Sequence, residues 1–485
     1  MKRLLILCFF ALSFIYSQES ASSLSGDANL YFISKLENGS IIKLPYRMFN
    51  ISWGYQRDNQ YDRFQLSSKL ALEHQPYLDY DSFKIDLREL YATWLIDFGE
   101  IKIGNQIQSW GFVDENSPLD IVCPYDYNFL FEAGTKRKIA TNALSMDMYY
   151  KNLKFGFTTT PFHSKWSNKY FRFNKLPSSE AEFPIELPAS PNDYQFMEID
   201  NTNEFGGYLQ LSTDVLDVGL FYFSGYDRIF NVSGINIYED TADQIVDVID
   251  TVFSYRKTEL LGLGGVLLLK DLSLRGDIGY FSTNDLNDNV SRPHPTITRV
   301  EGSFSDLKPV PYLSNPFEEQ VDYYQMTLQL EYKFLSDINI MMQYFKHDTL
   351  SYNSIVPIDP IDLPLFSADG FDPYNYFYPG MGSPLALMTH NALLIGIEKS
   401  FNERISIQLR NLMDVQYKGY FIELVSDYKF SNKVTGNFAI NYISGDEEHP
   451  NSKSNKGDDY EKALDYPLNQ MENFSHFRAQ LKYSF

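Results

Sequence analysis

Apolar and polar side chains alternate strictly along residues 324–334. Every second residue from Tyr324 to Phe334 is apolar, and the residues between them, from Gln325 to Lys333, are polar. A strand places alternate residues on opposite faces, whereas a helix would scatter the polar ones around its circumference. Aromatic residues end the apolar face on both sides, which is typical of strands that cross between the two interfaces of a membrane. The segment is therefore predicted to be a membrane-crossing strand.

The same alternation recurs along the chain and predicts sixteen strands. They lie near residues 62–72, 82–97, 99–108, 142–150, 153–160, 204–213, 216–224, 252–269, 272–282, 322–334, 337–347, 389–399, 403–411, 417–430, 433–444 and 472–485. Within residues 82–97 the alternation slips by one position near Arg88 and Glu89, which predicts a β-bulge. Residues 27–56 contain further strand-like stretches, such as Tyr46 to Trp53, so the expected range is 14 to 18 strands.

Short and long links alternate between these strands. The long links lie near residues 109–141, 161–203, 225–251, 283–321, 348–388 and 445–471. A soluble β-sandwich has no reason to place long links on every second connection, but an outer-membrane barrel has short periplasmic turns and long outer loops. Unpaired strand edges cannot face lipid, so the sheet has to close. The predicted fold is all-β, a transmembrane antiparallel up-and-down β-barrel of about sixteen strands with a lumen wide enough for water.

The first residues have the features of a signal peptide. Lys2 and Arg3 form a charged start, an apolar run extends from Leu4 to Ile15, and a cut is expected before Gln18. The apolar run is too short to span a membrane as a helix. The expected organisation is a cleaved signal peptide over residues 1–17, an N-terminal periplasmic segment with room for extra strands over 18–61, and the barrel with its long outer loops over 62–485.

Composition narrows the class of protein further. Aromatic residues make up 16% of the chain, a share that suits aromatic girdles at two membrane interfaces. The formal net charge of −22 argues against nucleic acid as a partner, since phosphate binding needs a basic face. Only Cys123 remains after the expected cleavage, so neither an internal disulfide nor a cysteine-based zinc site is predicted.

The phases of the predicted strands point a mixed but mainly basic set of side chains into the lumen. The predicted pore-lining residues are Lys84, Arg88, Lys102, Lys154, Arg275, Asp277, Glu331, Lys333, Arg410 and Arg478. A basic wall beneath acidic loops would favour anionic solutes or filter them by charge. The alternative interpretation is that these charges pair across strands and keep the interior wet. An error of one residue in register would also turn the charges of a strand outward.

The link that follows the third predicted strand is the best candidate for a loop folded into the pore. It leaves the strand through glycine and proline turns and presents acids, an amide and an indole before a cationic cluster. Acids opposed to basic side chains would create a transverse field across the lumen. The alternative is an ordinary surface loop built from turn residues. The predicted constriction residues are Gln106, Trp110, Asp114, Asp120, Asp126 and Arg137.

This region also resembles a known class of protein. The stretch from Leu87 to Tyr91, then Gly104-x-Gln106, Trp110-Gly111, Asp120 and Pro124-x-Asp126, resembles uncharacterised porin-like outer-membrane proteins with a G-x-Q-x-x-x-W-G signature. Those proteins are similar in outline to alginate-export-type barrels. The signature usually carries a basic residue where Asn105 stands here. The resemblance implies a pore or an exporter with no established substrate.

Enzyme chemistry has little support in the sequence. None of the seven histidines lies in a HExxH pattern or another metal-ligand spacing, and no Gly-x-Ser-x-Gly elbow occurs. Ser351 near His347 is the nearest approach to a hydrolase pair. A barrel transporter with a plug domain would need more than a hundred residues before its first strand, which this chain lacks. We therefore expect no enzyme activity, no cofactor and no metal.

The sequence thus predicts a porin-like channel in the outer membrane of a Gram-negative bacterium. It would pass small hydrophilic solutes, with anionic solutes as one option. Two alternatives stay open: an exporter of an anionic polymer, and a structural or adhesive barrel with a plugged lumen. The expected partners are outer-membrane lipid and lipopolysaccharide, small solutes, and barrel-assembly machinery that reads Phe485. The oligomeric state stays undetermined.

Overall fold

In the part of the chain that the structure describes, eighteen antiparallel strands form one continuous sheet that closes on itself. The computed structural model describes residues 20–485 except 59–62, 77–80, 130–131, 165–194, 200–201, 240–246, 287–289, 294–310, 312, 335–336, 355–376, 417–418, 446–467 and 469–470. The expected signal peptide, residues 1–17, lies outside the described residues. Within the described part of the chain, no helix is long and apolar enough to cross a membrane.

The strands of the barrel follow one another in chain order around the wall. Their bounds are β1 Ser20–Lys35, β2 Tyr46–Asp58, β3 Arg63–Pro76, β4 Asp81–Ile96, β5 Gly99–Gln106, β6 Thr141–Tyr150, β7 Leu153–Thr160, β8 Glu204–Ser212, β9 Leu216–Tyr226, β12 Lys257–Leu269, β13 Leu272–Asn284, β15 Gln320–Phe334, β16 Ile338–Asn353, β17 Asn391–Asn402, β18 Ile405–Asp414, β19 Tyr420–Lys429, β20 Val434–Ser444 and β21 His476–Ser484. The remaining three, β10 Asn231–Glu239, β11 Asp247–Ser254 and β14 Leu313–Pro316, form a separate small sheet.

The barrel closes where β1 pairs with β21 on one side and with β2 on the other. Gly26 and Phe485 exchange two backbone hydrogen bonds at this seam. The Phe485 ring lies directly over Gly26, because a Cβ there would come within 2.6 Å of the ring. The absence of a side chain at Gly26 therefore leaves space for the aromatic ring of Phe485 to pack across the seam.

The count of sixteen strands has to be corrected to eighteen. The two strands missing from that count are β1 and β2, in the segment where extra strands had been allowed. The first half of β1 carries Ser20, Ser22 and Gly26 on its outward face, so the apolar alternation there is weak. Backbone pairing on both edges forms the strand despite its small side chains.

The predicted strand 252–269 also needs correction. The chain forms two strands here, β11 in the small sheet and β12 in the barrel, with a break at Tyr255 and Arg256. β11 pairs with β10, which in turn pairs with β14. Both strands are rich in apolar residues, so the sequence pattern alone could not show that the chain changes sheets.

The two ends of the barrel differ in the length of their links, as predicted. At one end the strands are joined by tight turns, including the two-residue turns Lys151-Asn152 and Lys270-Asp271. Lys151 and Lys270 adopt left-handed backbone conformations, which suit hairpins whose twist follows that of the strands. Most links at the other end are long, and several of them enter the barrel.

The outward face of the barrel carries a belt of exposed apolar side chains with aromatic residues at both ends. At the short-turn end these include Phe98, Tyr150, Phe334, Phe401, Phe430 and Phe485. At the long-link end they include Phe83, Phe205, Tyr222, Tyr280, Tyr420 and Tyr442. A continuous apolar surface of this extent would be a liability in water, whereas it matches the hydrocarbon core of a bilayer.

Candidate pore and constriction loop

The inward-facing side chains divide the lumen wall into two regions. The packed wall is formed by β9, β12, β13, β15 and β16, whose inward residues lie under loops that enter the barrel. The charged wall is formed by β18 to β21 and β1 to β4, whose inward residues include a series of ion pairs. The β5–β6 loop, residues 107–140, runs between these two walls.

The β5–β6 loop is fastened to the packed wall at Asp277 of β13. The carboxylate of Asp277 accepts hydrogen bonds from the backbone N–H groups of Phe112 and Val113 at 2.9 and 3.0 Å. The hydroxyl of Ser117 donates to the same carboxylate at 2.7 Å. Asp277 is 1% exposed and has no basic partner among the described residues, so these donors supply the stabilisation that a buried carboxylate needs.

Gly111 makes this anchoring geometry possible. Its φ of +97° lies in the region that favours glycine, and a Cβ there would collide with the Ser117 hydroxyl and lie 2.6 Å from Asp277 Oδ2. The Trp-Gly pair of the sequence signature thus has a physical role at its second position. The consecutive N–H groups that follow Gly111 form a small anion-binding nest, and a carboxylate of the barrel occupies it.

The tip of the loop is held by a second set of contacts. The hydroxyl of Thr327 donates to the carbonyl of Asn116 at 2.8 Å, and the amide of Asn116 donates to Gln343 at 2.9 Å. Glu115 and Asn116 have φ values of +57° and +50°. This left-handed backbone conformation costs residues other than glycine about 1–2 kcal/mol each. The contacts of the loop tip with β15 and β16 therefore have to stabilise it.

Behind the loop, an apolar cluster fills this side of the lumen. It joins loop residues Trp110, Leu119 and Ile121 to the inward residues Phe221 and Phe223 of β9. The Trp110 ring packs edge-on against Phe223, with centroids 6.3 Å apart. Residues of the link between β16 and β17 belong to the same cluster. The packed wall is therefore a small hydrophobic core built inside a barrel.

The returning half of the loop lies against the charged wall. The guanidinium of Arg88 donates to the carbonyls of Lys138 and Lys136, at 2.6 and 3.1 Å. Arg47 donates to the carbonyl of Lys136 at 2.7 Å. Glu89 accepts the N–H of Ile107 at the start of the loop. Both ends of the loop are therefore tied to β2 and β4.

The bulge predicted at Arg88 and Glu89 is confirmed, and it explains these ties. Lys69 of β3 pairs with Glu89 and Leu70 pairs with Leu87, so Arg88 is the extra residue. A bulge lets two consecutive side chains point to the same face. Arg88 and Glu89 therefore both reach the loop from inside the barrel.

The charged wall is a series of ion pairs rather than a run of one sign. Arg478 pairs with Glu423 at 3.1 Å, Lys482 with Asp27 at 3.7 Å, and Arg47 with Glu73 at 3.3 Å. Lys69 pairs with Glu89. The side chains of Lys69 and Lys482 are 52% and 34% exposed, and Arg410, which lies near Glu423, is 41% exposed. The pairs Arg47–Glu73 and Arg478–Glu423 are buried. The accessibility of Lys69, Lys482 and Arg410 shows that space remains in the lumen beside this wall.

The predicted constriction residues have distinct positions. Gln106 lies at the end of β5 and hydrogen-bonds to β6. Trp110 is buried in the apolar cluster, and Asp120 forms an ion pair with Lys138 beneath the loop surface. Burial raises the pKa of the Asp126 carboxyl. Asp114 and Arg137 line a cavity of about 490 Å³ bounded by the loop, β12 and β13.

The predicted pore-lining residues have these described contacts. Arg275 donates to Asp114 and approaches Glu331, and Asp277 anchors the loop. Lys102 pairs with Glu100, Lys154 with Asp147, and Lys84 with Asp86. Arg410 and Arg478 both face Glu423, while Arg88 holds the loop. Lys333 is exposed near the short turn after β15.

Several residues that hold the loop were not singled out from the sequence. Arg47 was missed because a bulge after it shifts the alternation of β2. Thr327 and Gln343 look like ordinary inward polar residues. Arg228 binds Glu204 through both carboxylate oxygens and donates to the carbonyl of Ile121 at 2.9 Å. The sequence signal for Arg228 was weak, a basic residue two positions after the end of β9.

Ser351 and His347, the residues that come nearest to a hydrolase pair in the sequence, have different partners in the structure. The hydroxyl of Ser351 donates to Asp322 at 2.9 Å, while the ring of His347 packs against Tyr323, Phe377 and His390. Among the described residues, no group of three histidine, cysteine or acidic side chains is arranged to hold a metal ion.

Comparison with known proteins finds likeness in fold only. No protein-family model matches the chain, and no curated protein matches it. Solved structures that resemble it include OccK11 of Pseudomonas aeruginosa, 10% identical with a TM-score of 0.45 over 96% of both chains. Another is the outer membrane channel DcaP of Acinetobacter baumannii, 9% identical with a TM-score of 0.41 over 97% of this chain and 99% of that one.

A further likeness is to OmpT, an outer membrane protein of Vibrio cholerae, 9% identical with a TM-score of 0.41 over 97% of this chain and 99% of that one. At these values the likenesses carry no argument about what the chain does. The fold assignment rests on the closed ladder of eighteen strands in the structure itself.

Proposed function

We propose that this protein is an outer-membrane channel through which small hydrophilic solutes diffuse passively. The observation that carries the proposal is the division of the lumen. One wall is sealed by the anchored β5–β6 loop, whereas the opposite wall keeps accessible ionised side chains. A closed barrel of this size encloses space for water unless its loops fill it, and here they fill one side.

The exposed apolar belt supports a position in a membrane, and its two aromatic ends match the two interfaces. Lipid and lipopolysaccharide are the partners that this surface would contact. Phe485, seated over Gly26 at the closing seam, is the residue that assembly machinery would recognise. Export through a cleaved signal peptide belongs to the same proposal.

Passage of small solutes is better supported than export of an anionic polymer. A polymer conduit would be favoured by a continuous row of unpaired basic residues. The basic residues of the charged wall instead have carboxylate partners, as in the pairs Arg478–Glu423 and Lys482–Asp27. We therefore do not propose polymer export, the function that the resemblance to alginate-export-type barrels would imply.

Recording from purified, refolded protein in planar lipid bilayers tests the channel directly. We expect discrete conductance steps that persist at low voltage, with weak preference for either ion sign because the wall charges are paired. A refolded barrel that gives no steps would overturn the channel and favour a structural or adhesive barrel with a plugged lumen. Folding of the sample is checked by β-sheet circular dichroism and by the migration shift that heating produces on a gel.

A further inference from the structure

The 490 Å³ cavity next to the β5–β6 loop is lined by basic residues and by acidic residues from different parts of that loop. Its volume is in the range of small-molecule sites. Arg137 of the returning half of the loop lines it, and so do Asp114, Glu115 and Arg275. An apolar surface formed by Phe112, Val266 and Leu268 borders it as well.

Arg137 contributes an uncompensated positive charge. Within the described part of the chain it takes part in no ion pair, and its buried Nε has no hydrogen-bond partner. Its guanidinium lies 5.7 Å from the centre of the Tyr125 ring, which orients it. The neighbouring Lys138 is neutralised by Asp120. A half-buried, unpaired guanidinium is a receptor for a carboxylate.

The loop tip contributes the negative charge. Asp114 pairs with Arg275 at 3.1 Å, and Glu331 approaches the same guanidinium at 3.5 Å. Glu115 adds a further carboxylate, so acids outnumber the single base at this place. The left-handed backbone of Glu115 is held by contacts on both sides of it, from Gln343 to the carbonyl of Asp114 and from Thr327 to that of Asn116.

The Arg137 side and the tip side belong to opposite walls. The chain around Arg137 is bound to β2 and β4, because Arg47 and Arg88 both donate to the carbonyl of Lys136. The tip is bound to β13, β15 and β16 through Asp277, Thr327 and Gln343. The cavity thus runs from a basic side to an acidic side across an apolar surface.

We propose that this cavity binds zwitterionic solutes, namely free amino acids or short peptides with free termini. The carboxylate of the solute pairs with Arg137, its ammonium group pairs with Glu115 and Asp114, and apolar side chains contact Phe112, Val266 and Leu268. This inference rests on the proposed channel and names its class of substrate. A purely anionic or purely cationic solute would satisfy only one side of the cavity.

The test uses three forms of one dipeptide, leucyl-leucine. The free dipeptide is zwitterionic, the N-acetylated form is an anion, and the C-terminal amide is a cation. In single-channel recordings we expect the free dipeptide to block the current with a residence time at least about tenfold longer than either modified form, the difference that one lost ion pair produces. Calorimetric titration of the protein in detergent should rank the three peptides in the same order.

Two variants test which residue binds the carboxylate of the peptide and which binds its ammonium group. Arg137→Gln should abolish the advantage of the free dipeptide over the amide, and Glu115→Gln should reduce its advantage over the acetylated form. Arg404→Gln, in the exposed turn between β17 and β18, is the matched control and should change neither. Equal binding of the three peptides, or tightest binding of the acetylated one, would overturn the zwitterion site while leaving the channel intact. Calorimetry decides the matter even if no conductance is found.

Discussion

The two walls of this lumen have the same alternating strand pattern, but loops cover one wall and leave side chains of the other accessible. On the packed wall, Thr327 and Gln325 are fully buried, and the neighbouring Asp277 is enclosed by donors from a loop. On the charged wall, Lys69 and Arg410 keep about half of their surface accessible. Period-two alternation determines only which face a residue occupies. Whether that face is sealed or open depends on where the loops find partners.

The packed wall is stabilised by the interactions of a protein core, whereas the charged wall is stabilised by ion pairs beside a water-filled space. Apolar burial and hydrogen bonds to buried carboxylates act on the first wall. On the second wall, the ion pairs that stay accessible to water, such as Lys482–Asp27, contribute little to stability, although their charges act on passing ions. Substitutions on the two walls should therefore change different properties.

The largest loss of stability is expected for Trp110→Ala. The indole is 6% exposed and packs against Tyr208, Phe221 and Phe223, so its removal leaves a cavity between the loop and the wall. A buried tryptophan replaced by alanine costs about 3–5 kcal/mol. Urea unfolding of the refolded protein in micelles measures the loss. Trp94→Ala, on the outward face, is the control and should cost clearly less; equal losses would contradict the packed core.

The next effect is expected for Asp277→Asn, which removes the charge that anchors the loop. Hydrogen bonds to a charged group contribute about 1.5–3 kcal/mol, so the released loop should gain population by roughly 10- to 100-fold. Single-channel recordings should show more frequent transitions to a larger conductance.

Asp217→Asn, an inward acid of β9 near the short turns, is the control and should leave the conductance unchanged. Gly111→Ala should reproduce the effect of Asp277→Asn, because its methyl group collides with the anchoring contacts. If both anchor variants conduct as the unmodified protein does, Asp277 does not hold the loop.

The smallest effect is expected for Arg410→Gln on the charged wall. Arg410 is 41% exposed and lies 3.8 Å from Glu423, which keeps Arg478 as a partner, so its removal takes one positive charge from the accessible space. The reversal potential in a salt gradient should move toward cation preference, and the shift should shrink at high salt because of screening. Stability should change by less than about 1 kcal/mol. An unchanged reversal potential would show that ions do not pass this wall.

The sequence predicted the wall of the barrel better than its closure. Strands such as β15 and β20 show a full apolar face, and their positions were confirmed. β1 was missed because half of its outward residues are small, and β11 was merged with β12 because both are rich in apolar residues. Pairing between distant strands forms these elements, and such pairing leaves no mark in the local pattern.

The contacts of the β5–β6 loop could be predicted only in part. Turn residues, acids and the Trp-Gly pair singled it out from composition. Its anchor joins Phe112 to Asp277, which lies 165 positions further along the chain. The sequence around either residue does not indicate the other, because the contact forms only when the β5–β6 loop enters the barrel and reaches β13. The inward direction of Asp277 was predicted, but its binding partner was not.

Chemical modification of one cysteine on each wall tests the contrast between them most directly. Lys69→Cys and Thr327→Cys place thiols at similar depths on the charged and packed walls, and the native Cys123, 1% exposed, serves as the unreactive control in the unmodified protein. A charged, water-soluble thiol reagent added during recording should react at position 69 and reduce the conductance, while position 327 stays protected by the loop. Equal reaction at both positions, or reaction at 327 alone, would contradict a lumen that is sealed on one wall and open on the other.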